Sequence, residues 1–218
     1  MNRSDSKRLA RFLAIPAILT TLACANPADN VPAARVSEVA APPASAIVPA
    51  ASMPRVFKIA EGSTIGFIGS KVTGSHNGGF HGFDGTITLA GGDIPGSRVE
   101  LHIDTTTLWA DNDRLTGHLK SPDFFDVETH PKATFVSTGI EPAGDEYMIT
   151  GTLDLHGHSR SITFPASISV APDRVTARAE FSINRFDFEI IYPGKPDDLI
   201  RDEVVVKLDI VAQPVQGA

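Results

Sequence analysis

The sequence holds a single cysteine, one tryptophan and two tyrosines in 218 residues, and its scarcities remove whole classes of explanation. One thiol cannot close an internal disulfide, so an oxidising compartment is compatible with the chain but contributes no cross-link to it. No apolar run reaches the roughly 20 residues that a membrane-spanning helix requires; the run from Phe12 to Ala23 stops well short. Positive charge is sparse as well. The formal net charge is −7, and four of the basic side chains fall before residue 24 (Arg3, Lys7, Arg8, Arg11) against one acid, Asp5. Beyond them stand 15 basic and 25 acidic groups, a net of −10, which opposes nucleic-acid backbones and anionic bilayer surfaces. A nucleic-acid partner is therefore not expected. A nucleophile motif such as G-x-S-x-G is also missing. The acids Asp111, Asp113, Asp123 and Asp126 read as helix caps and solubilising charge rather than as paired catalytic carboxylates. The expectation is a protein without catalysis of its own.

What is present divides into three stretches. The basic residues up to Arg11 followed by the Phe12–Ala23 run form the pattern of an export signal, assigned to residues 1–24. Cys24 stands directly after the run, where lipoprotein signals place the thiol that receives a diacylglycerol anchor; the same residues, Ala23-Cys24-Ala25, also satisfy plain secretory cleavage. The leucine of this junction, Leu22, is one place nearer the cysteine than the usual lipidation pattern has it. Lipidation at Cys24 and residence in the periplasm or cell envelope, held to a membrane, are the expectation. Residues 25–53 are dominated by Ala, Pro, Val and Ser without apolar periodicity, and predict an extended tether at ~3.1 Å per residue. Residues 54–214 carry the pattern of a folded domain.

That pattern is alternation with a period of two, the mark of strands with one buried face. Val99, Leu101 and Ile103 alternate with Glu100, His102 and Asp104. Ile162, Phe164, Ala166, Ile168 and Val170 define a second such run, Val175 to Ile183 a third, and Val204, Val206, Leu208 and Ile210 a fourth. Less regular strands are predicted near 55–60, 63–71, 80–90, 133–140 and 146–155, separated by turn formers such as Pro142-Ala143-Gly144-Asp145 and Pro172-Asp173. One short helix is predicted near 111–121, capped by Asp111 or Asn112 and stopped before Pro122, with a further single turn after Pro196. Eight or nine strands in a meander point to an all-β fold, an antiparallel barrel whose closure removes exposed edges.

The residues also resemble a known family. The run Gly117-His118-Leu119-Lys120-Ser121-Pro122-Asp123-Phe124-Phe125-Asp126, followed by His130-Pro131-Lys132-Ala133-Thr134-Phe135, is similar to the central signature of YceI-like domains. Phe57-Lys58-Ile59 with Ser63-Thr64-Ile65-Gly66-Phe67 resembles the family's opening strands, and Gly79-Phe80 with Phe83-Asp84-Gly85-Thr86-Ile87 its next one. Gly151 to Gly157 with Arg160, and Asn184-Arg185-Phe186-Asp187-Phe188, complete a likeness over about residues 55–213. Two departures stand out: Leu115-Thr116 occupy the place of a frequent Arg-Asp pair, and Glu189 replaces a common glycine. The resemblance implies a lipocalin-like barrel that binds polyisoprenoid chains, isoprenoid quinones or comparable amphiphiles, with no reaction and no other cofactor.

Candidate ligand-lining residues are Phe67, Phe83, Leu115, Leu119, Phe124, Phe135 and Phe181, the aromatics of inward strand positions together with the helix and loop that could cap a mouth. Of Phe124 and Phe125, one is expected only to anchor its loop. The competing reading is a solid core in which bulky Phe67, Phe135, Phe164 and Phe181 interdigitate with small Ala166, Ala177, Ala179 and Gly151, leaving a domain that acts through its outer surface as an interaction or stress-response partner. His156 and His158 flank a glycine turn without an evident third ligand and read as turn residues, so no metal is expected. Residues 184–188 read as strand, on one side of which Arg185 and Asp187 would pair as a structural salt bridge. A membrane is the expected partner through Cys24, and a homodimer is also allowed.

Overall fold

The computed structural model describes residues 25–39, 54–91 and 93–215; residues 1–24, read as an export signal ending at Cys24, lie outside them. Twelve strands are present among these residues: β1 (Arg35–Ser37), β2 (Arg55–Ile59), β3 (Thr64–Lys71), β4 (Gly74–Ala90), β5 (Asp93–Ala110), β6 (Lys132–Ala143), β7 (Glu146–Leu155), β8 (His158–Ala171), β9 (Arg174–Asn184), β10 (Gly194–Lys195), β11 (Asp198–Leu199) and β12 (Glu203–Pro214). A single α-helix, α1 (Asp113–Lys120), and two short 3-10 turns, Pro27–Asn30 and Arg185–Phe188, complete the set.

Neighbouring strands from β4 to β9 pair antiparallel in sequence order, β9 pairs β12, and β12 returns to β4 through β2 and β3. β2 lies between β4 and β12 at one end of the barrel and β3 at the other, so the two short strands make one interrupted stave. The result is the predicted closed antiparallel barrel, with eight staves.

The alternation does the work expected of it. In β9, Val175, Phe181 and Ile183 are buried while Arg178 and Glu180 face out, and these charges sit opposite Asp209 and Lys207 of β12 at 3.1 and 3.0 Å. β4 and β5 run far longer than predicted. Register shifts between Phe80 and Gly82 and between Thr88 and Ala90 break the phase of the apolar pattern, and a pattern that changes phase hides its own continuation.

The helix forms where expected, with the Asn112 side chain accepting from the Leu115 amide at 3.0 Å. The turn predicted after Pro196 is instead the tip of the β10–β11 hairpin. Residues 184–188, read as strand, close into the second 3-10 turn, ended by Glu189 in the left-handed region at φ 56°.

The amino-terminal stretch departs most from its reading as a tether. Ala28 and Asn26 are buried, and β1 pairs antiparallel with β8, matching Arg35 to Thr163 and Ser37 to Ser161. Composition concealed this because the docking uses backbone hydrogen bonds to open strand edges, which no side-chain periodicity encodes. Residues 40–53 lie outside the described residues.

Candidate functional site

The barrel is not packed solid. An internal cavity of about 180 Å³ lies within it, lined by apolar side chains; Arg178 borders it, but its charged group faces out toward Asp209. Ala177, Ala179, Val206 and Leu208 line this space and are only half-buried, although they point inward from β9 and β12. The surface they leave uncovered is the cavity's own. Two glycines keep large rings flat against the wall: a Cβ on Gly78 would stand 2.3 Å from Cζ of Phe67, and one on Gly151 would stand 2.3 Å from Cζ of Phe135. Across the strands, Phe164 and Phe181 stack at 4.2 Å between ring centres.

Toward the end of the barrel that carries α1, a second chamber of about 330 Å³ continues the first. Phe67, Phe125, Leu155, Ile183 and Val204 line both chambers, and Phe67, Phe80 and Phe125 meet ring to ring at 5.8–6.2 Å between them. This triad forms an aromatic neck. The outer chamber is roofed by Leu115, His118 and Leu119 of the helix and by Phe124, and faces Ile190, Tyr192 and Ile200.

Polar groups appear only at this mouth. Lys71 pairs with Asp198, which also takes hydrogen bonds from the Thr73 hydroxyl at 3.0 and 3.1 Å and from the Thr73 amide at 3.2 Å. The Lys71 ammonium first, and then Thr73, hold the Asp198 carboxyl below its ordinary value. The Asn77 amide, with His76 at 2.8 Å, does the same for Asp111. His118 lies 2.9 Å from Asp123 and meets the rings of Phe124 and Tyr192 edge-on at 5.0 Å.

Arg185 is only 4% exposed and bonds the carbonyls of Ile190, Ile200 and Arg201, with Asp202 at 3.9 Å. Burial pulls its guanidinium below the ordinary value and Asp202 acts against that shift. The predicted pairing with Asp187 is thus replaced: the 3-10 turn redirects Arg185 inward, where it staples the 189–201 loop over the mouth.

Of the candidate lining residues, Phe67, Phe135 and Phe181 face the barrel cavity, and Phe67, Leu115, Leu119 and Phe124 face the outer chamber. Phe83 lines neither; it packs against the core and borders an outer groove with Ile59, Ala60 and Thr64, where β2 gives way to β3. Sequence reasoning passed over Phe80 and Tyr192, and left open which of Phe124 and Phe125 matters more. Phe124 is buried at the roof, whereas Phe125 reaches the neck. The register shift after Phe80 hid its inward direction, and Tyr192 sits in a loop without periodicity. His156 has φ 54° at its turn, bonds the Phe188 carbonyl at 3.0 Å and has the His130 ring at 4.7 Å. Among the described residues no group of three or more His, Cys, Asp or Glu side chains is placed to hold a metal ion.

Fold and cavity together define a lipocalin-like antiparallel β-barrel, closed on itself, with an apolar interior reached through a helix-roofed mouth. Residues 58–212 match the family model of the YceI-like domain, and the chain belongs to that family. It is 30% identical over 138 residues to a UPF0312 protein of Pseudomonas putida (strain W619), covering 60% of this chain and 72% of that one. It is 34% identical over 117 residues to the protein YceI of Escherichia coli O6:H1 (strain CFT073), covering 51% and 61%. Among solved structures, Burkholderia cenocepacia BcnA superposes with a TM-score of 0.63 at 25% identity, over 69% of this chain and 96% of that one. A polyisoprenoid binding domain from Saccharophagus degradans, implicated in plant cell wall breakdown, shares the fold with a TM-score of 0.61 at 19% identity, over 75% and 100%.

Proposed function

We propose that the protein binds a long apolar lipid chain, a polyisoprenoid or an isoprenoid quinone, with the tail threaded through the aromatic neck into the barrel and the polar end at the mouth. The observation that carries this reading is the division of polarity: the inner chamber is lined almost wholly by hydrocarbon, and hydrogen-bonding groups gather only in the outer one. The related fold that is a polyisoprenoid binding domain supports the same ligand class. Burying ~500 Å² of prenyl surface at about 25 cal/mol per Å² gives roughly 12 kcal/mol before association and ordering costs remove several. A binding role without catalysis fits this site, which offers shape and desolvation rather than an activated nucleophile. We further propose export to the periplasm or cell envelope, with a lipid on Cys24 holding the barrel to a membrane.

Native mass spectrometry of the protein recovered from an exporting host, followed by denaturing extraction, tests the ligand. The expected result is a stoichiometric prenyl lipid that is lost in Phe135→Asp. A protein that emerges empty and ignores added quinones overturns the reading and favours a domain acting through its outer surface.

A further inference from the structure

The barrel wall is incomplete without the residues that precede the family domain. β8 and β9 pair with each other only through residues 167–171 and 174–178, near the turn that joins them. Toward the mouth they part, and residues 32–37 enter the space between them. On one side β1 runs antiparallel to β8, with Val36 opposite Ile162. On the other the chain runs parallel to β9: the Ala34 amide donates to the Ser182 carbonyl at 2.8 Å and the Ser182 amide to the Pro32 carbonyl at 2.9 Å. Strands spaced at ~4.8 Å leave a slot of roughly 10 Å when one is missing between two neighbours. The barrel therefore has eight staves at its turn end and nine at its mouth.

The ninth stave closes onto the cavity itself. Ala34 and Val36 pack against the main core, and the strand segments that flank the slot carry Ile162 and Ile183, both cavity-lining. Its attachment is slight beside that of its neighbours: β1 is three residues long, whereas β9 and β12 stay in register from Glu203–Asn184 to Ala212–Val175. The side chains it turns to the core, Ala34 and Val36, are small, and the Glu38 side of its ion pair with Arg160 at 3.5 Å is solvent-exposed. Short segments with few buried apolar contacts open at the low end of a protein's local stability range. Residues 32–37 also lie outside the family match, which begins at residue 58.

We infer that the slot between β8 and β9 is a peptide-binding site in the barrel wall, filled in cis by residues 32–37, and that release of this strap opens a lateral path along which an apolar chain enters and leaves. The inference rests on the cavity holding such a chain. It differs from passage through the mouth alone because a side slot lets a long chain slip in broadside instead of being threaded end first.

The test uses the full chain with Cys24→Ser, to which Ser37→Cys and Ser161→Cys are added. These positions face each other in the register and lie away from the inward Val36–Ile162 pair, so a disulfide between them pins the strap from outside. The probe is NBD-labelled farnesol, followed by stopped-flow fluorescence. Oxidation is expected to slow both association and release about tenfold or more against the reduced form of the same protein, with Kd changed less than about twofold, since a gate alters rates and not the end states. Ala34→Pro removes the donor to Ser182 and is expected to speed both steps. Equal rates in the oxidised and reduced protein, with the probe bound, overturn the gate and leave the cavity reading intact. Absence of probe binding in every form refutes the cavity reading instead. Hydrogen exchange then decides the strap by itself: Ala34 and Ser182 amides exchanging faster than the β9–β12 ladder support it, and equally slow exchange overturns it.

Discussion

Ala177→Leu separates a hollow barrel from a solid one by the sign of two effects. Ala177 lines the inner cavity from β9, between Ile168 of β8 and Ile210 of β12. Leucine adds three carbons there. At about 0.8 kcal/mol per buried methylene, the empty barrel gains up to roughly 2 kcal/mol, because the new atoms occupy space that no protein atom fills. For a domain of this size each kcal/mol moves the melting midpoint by ~2–4 °C, so Tm should rise by about 4–8 °C in a calorimetric scan of the ligand-free protein. The same atoms take volume from a bound chain, and affinity for a prenyl probe should fall at least about tenfold, the equivalent of ~1.4 kcal/mol. In a filled core the substitution would overpack the site and cost ~1–3 kcal/mol. A lowered Tm with unchanged probe affinity would refute the placement of the cavity.

Arg185→Ala should destabilise the barrel by about 3 kcal/mol, since it strips the carbonyls of Ile190, Ile200 and Arg201 of a charged donor; urea denaturation measures the loss, and Arg185→Lys should not restore it because one ammonium cannot reproduce the planar fork. Glu189→Gly relieves a non-glycine left-handed residue and should be neutral to stabilising by up to about 1 kcal/mol, and a clear loss in the same titration would contradict this. The carboxyls of Asp198 and Asp111 are held below 3.8 in the folded protein, so their contribution is complete above that value and is lost only as pH falls through the lower folded one. Protection of the Thr73 amide, taken relative to its intrinsic exchange rate, should therefore persist at pH 5 and be lost only at pH below the ordinary carboxylate value, and loss already at pH 5 would contradict the contact with Asp198.

The strands that carry strict alternation were legible almost residue by residue. Val175 to Ile183 and Val204 to Ile210 sit in β9 and β12 with their inward faces as read, because a period of two with one wet face permits a single register. The helix was legible from its cap and from the proline after it. Three features were not. The reach of β4 across Gly74 to Gly79 offers few side chains to pattern, and it is held by backbone pairing to β3. The inward turn of Arg185 depends on a 3-10 turn whose partners are carbonyls fifteen and sixteen residues away. The cavity is the third: small residues at Ala166, Ala177, Ala179 and Gly151 are equally suited to filling a core and to leaving it empty, and only the positions of the rings opposite them decide. Gly151 lies beneath Phe135 and so fills nothing, whereas Ala177 and Ala179 face open space.

The strap bears on how this domain must be handled if its kinetics are to mean anything. The family match begins at residue 58, and the barrel strands from β2 onward could be taken for the whole binding unit. Cutting there removes the segment that satisfies Ser182 on both its amide and its carbonyl and covers one edge of β8 at 161–163. Unpaired edges of this kind recruit other strands, so a protein trimmed to begin at residue 54, which keeps β2 and its buried Phe57, should dimerise or aggregate through β8 and β9 while the full chain does not. Sedimentation of the two, side by side, checks this. Adding a peptide of residues 30–39 in excess should return the trimmed form to a monomer by occupying the slot. A trimmed protein that stays monomeric, with β8 amides as protected as in the full chain, would mean that β8 and β9 zip together unaided and that the slot exists only because the strap holds it open.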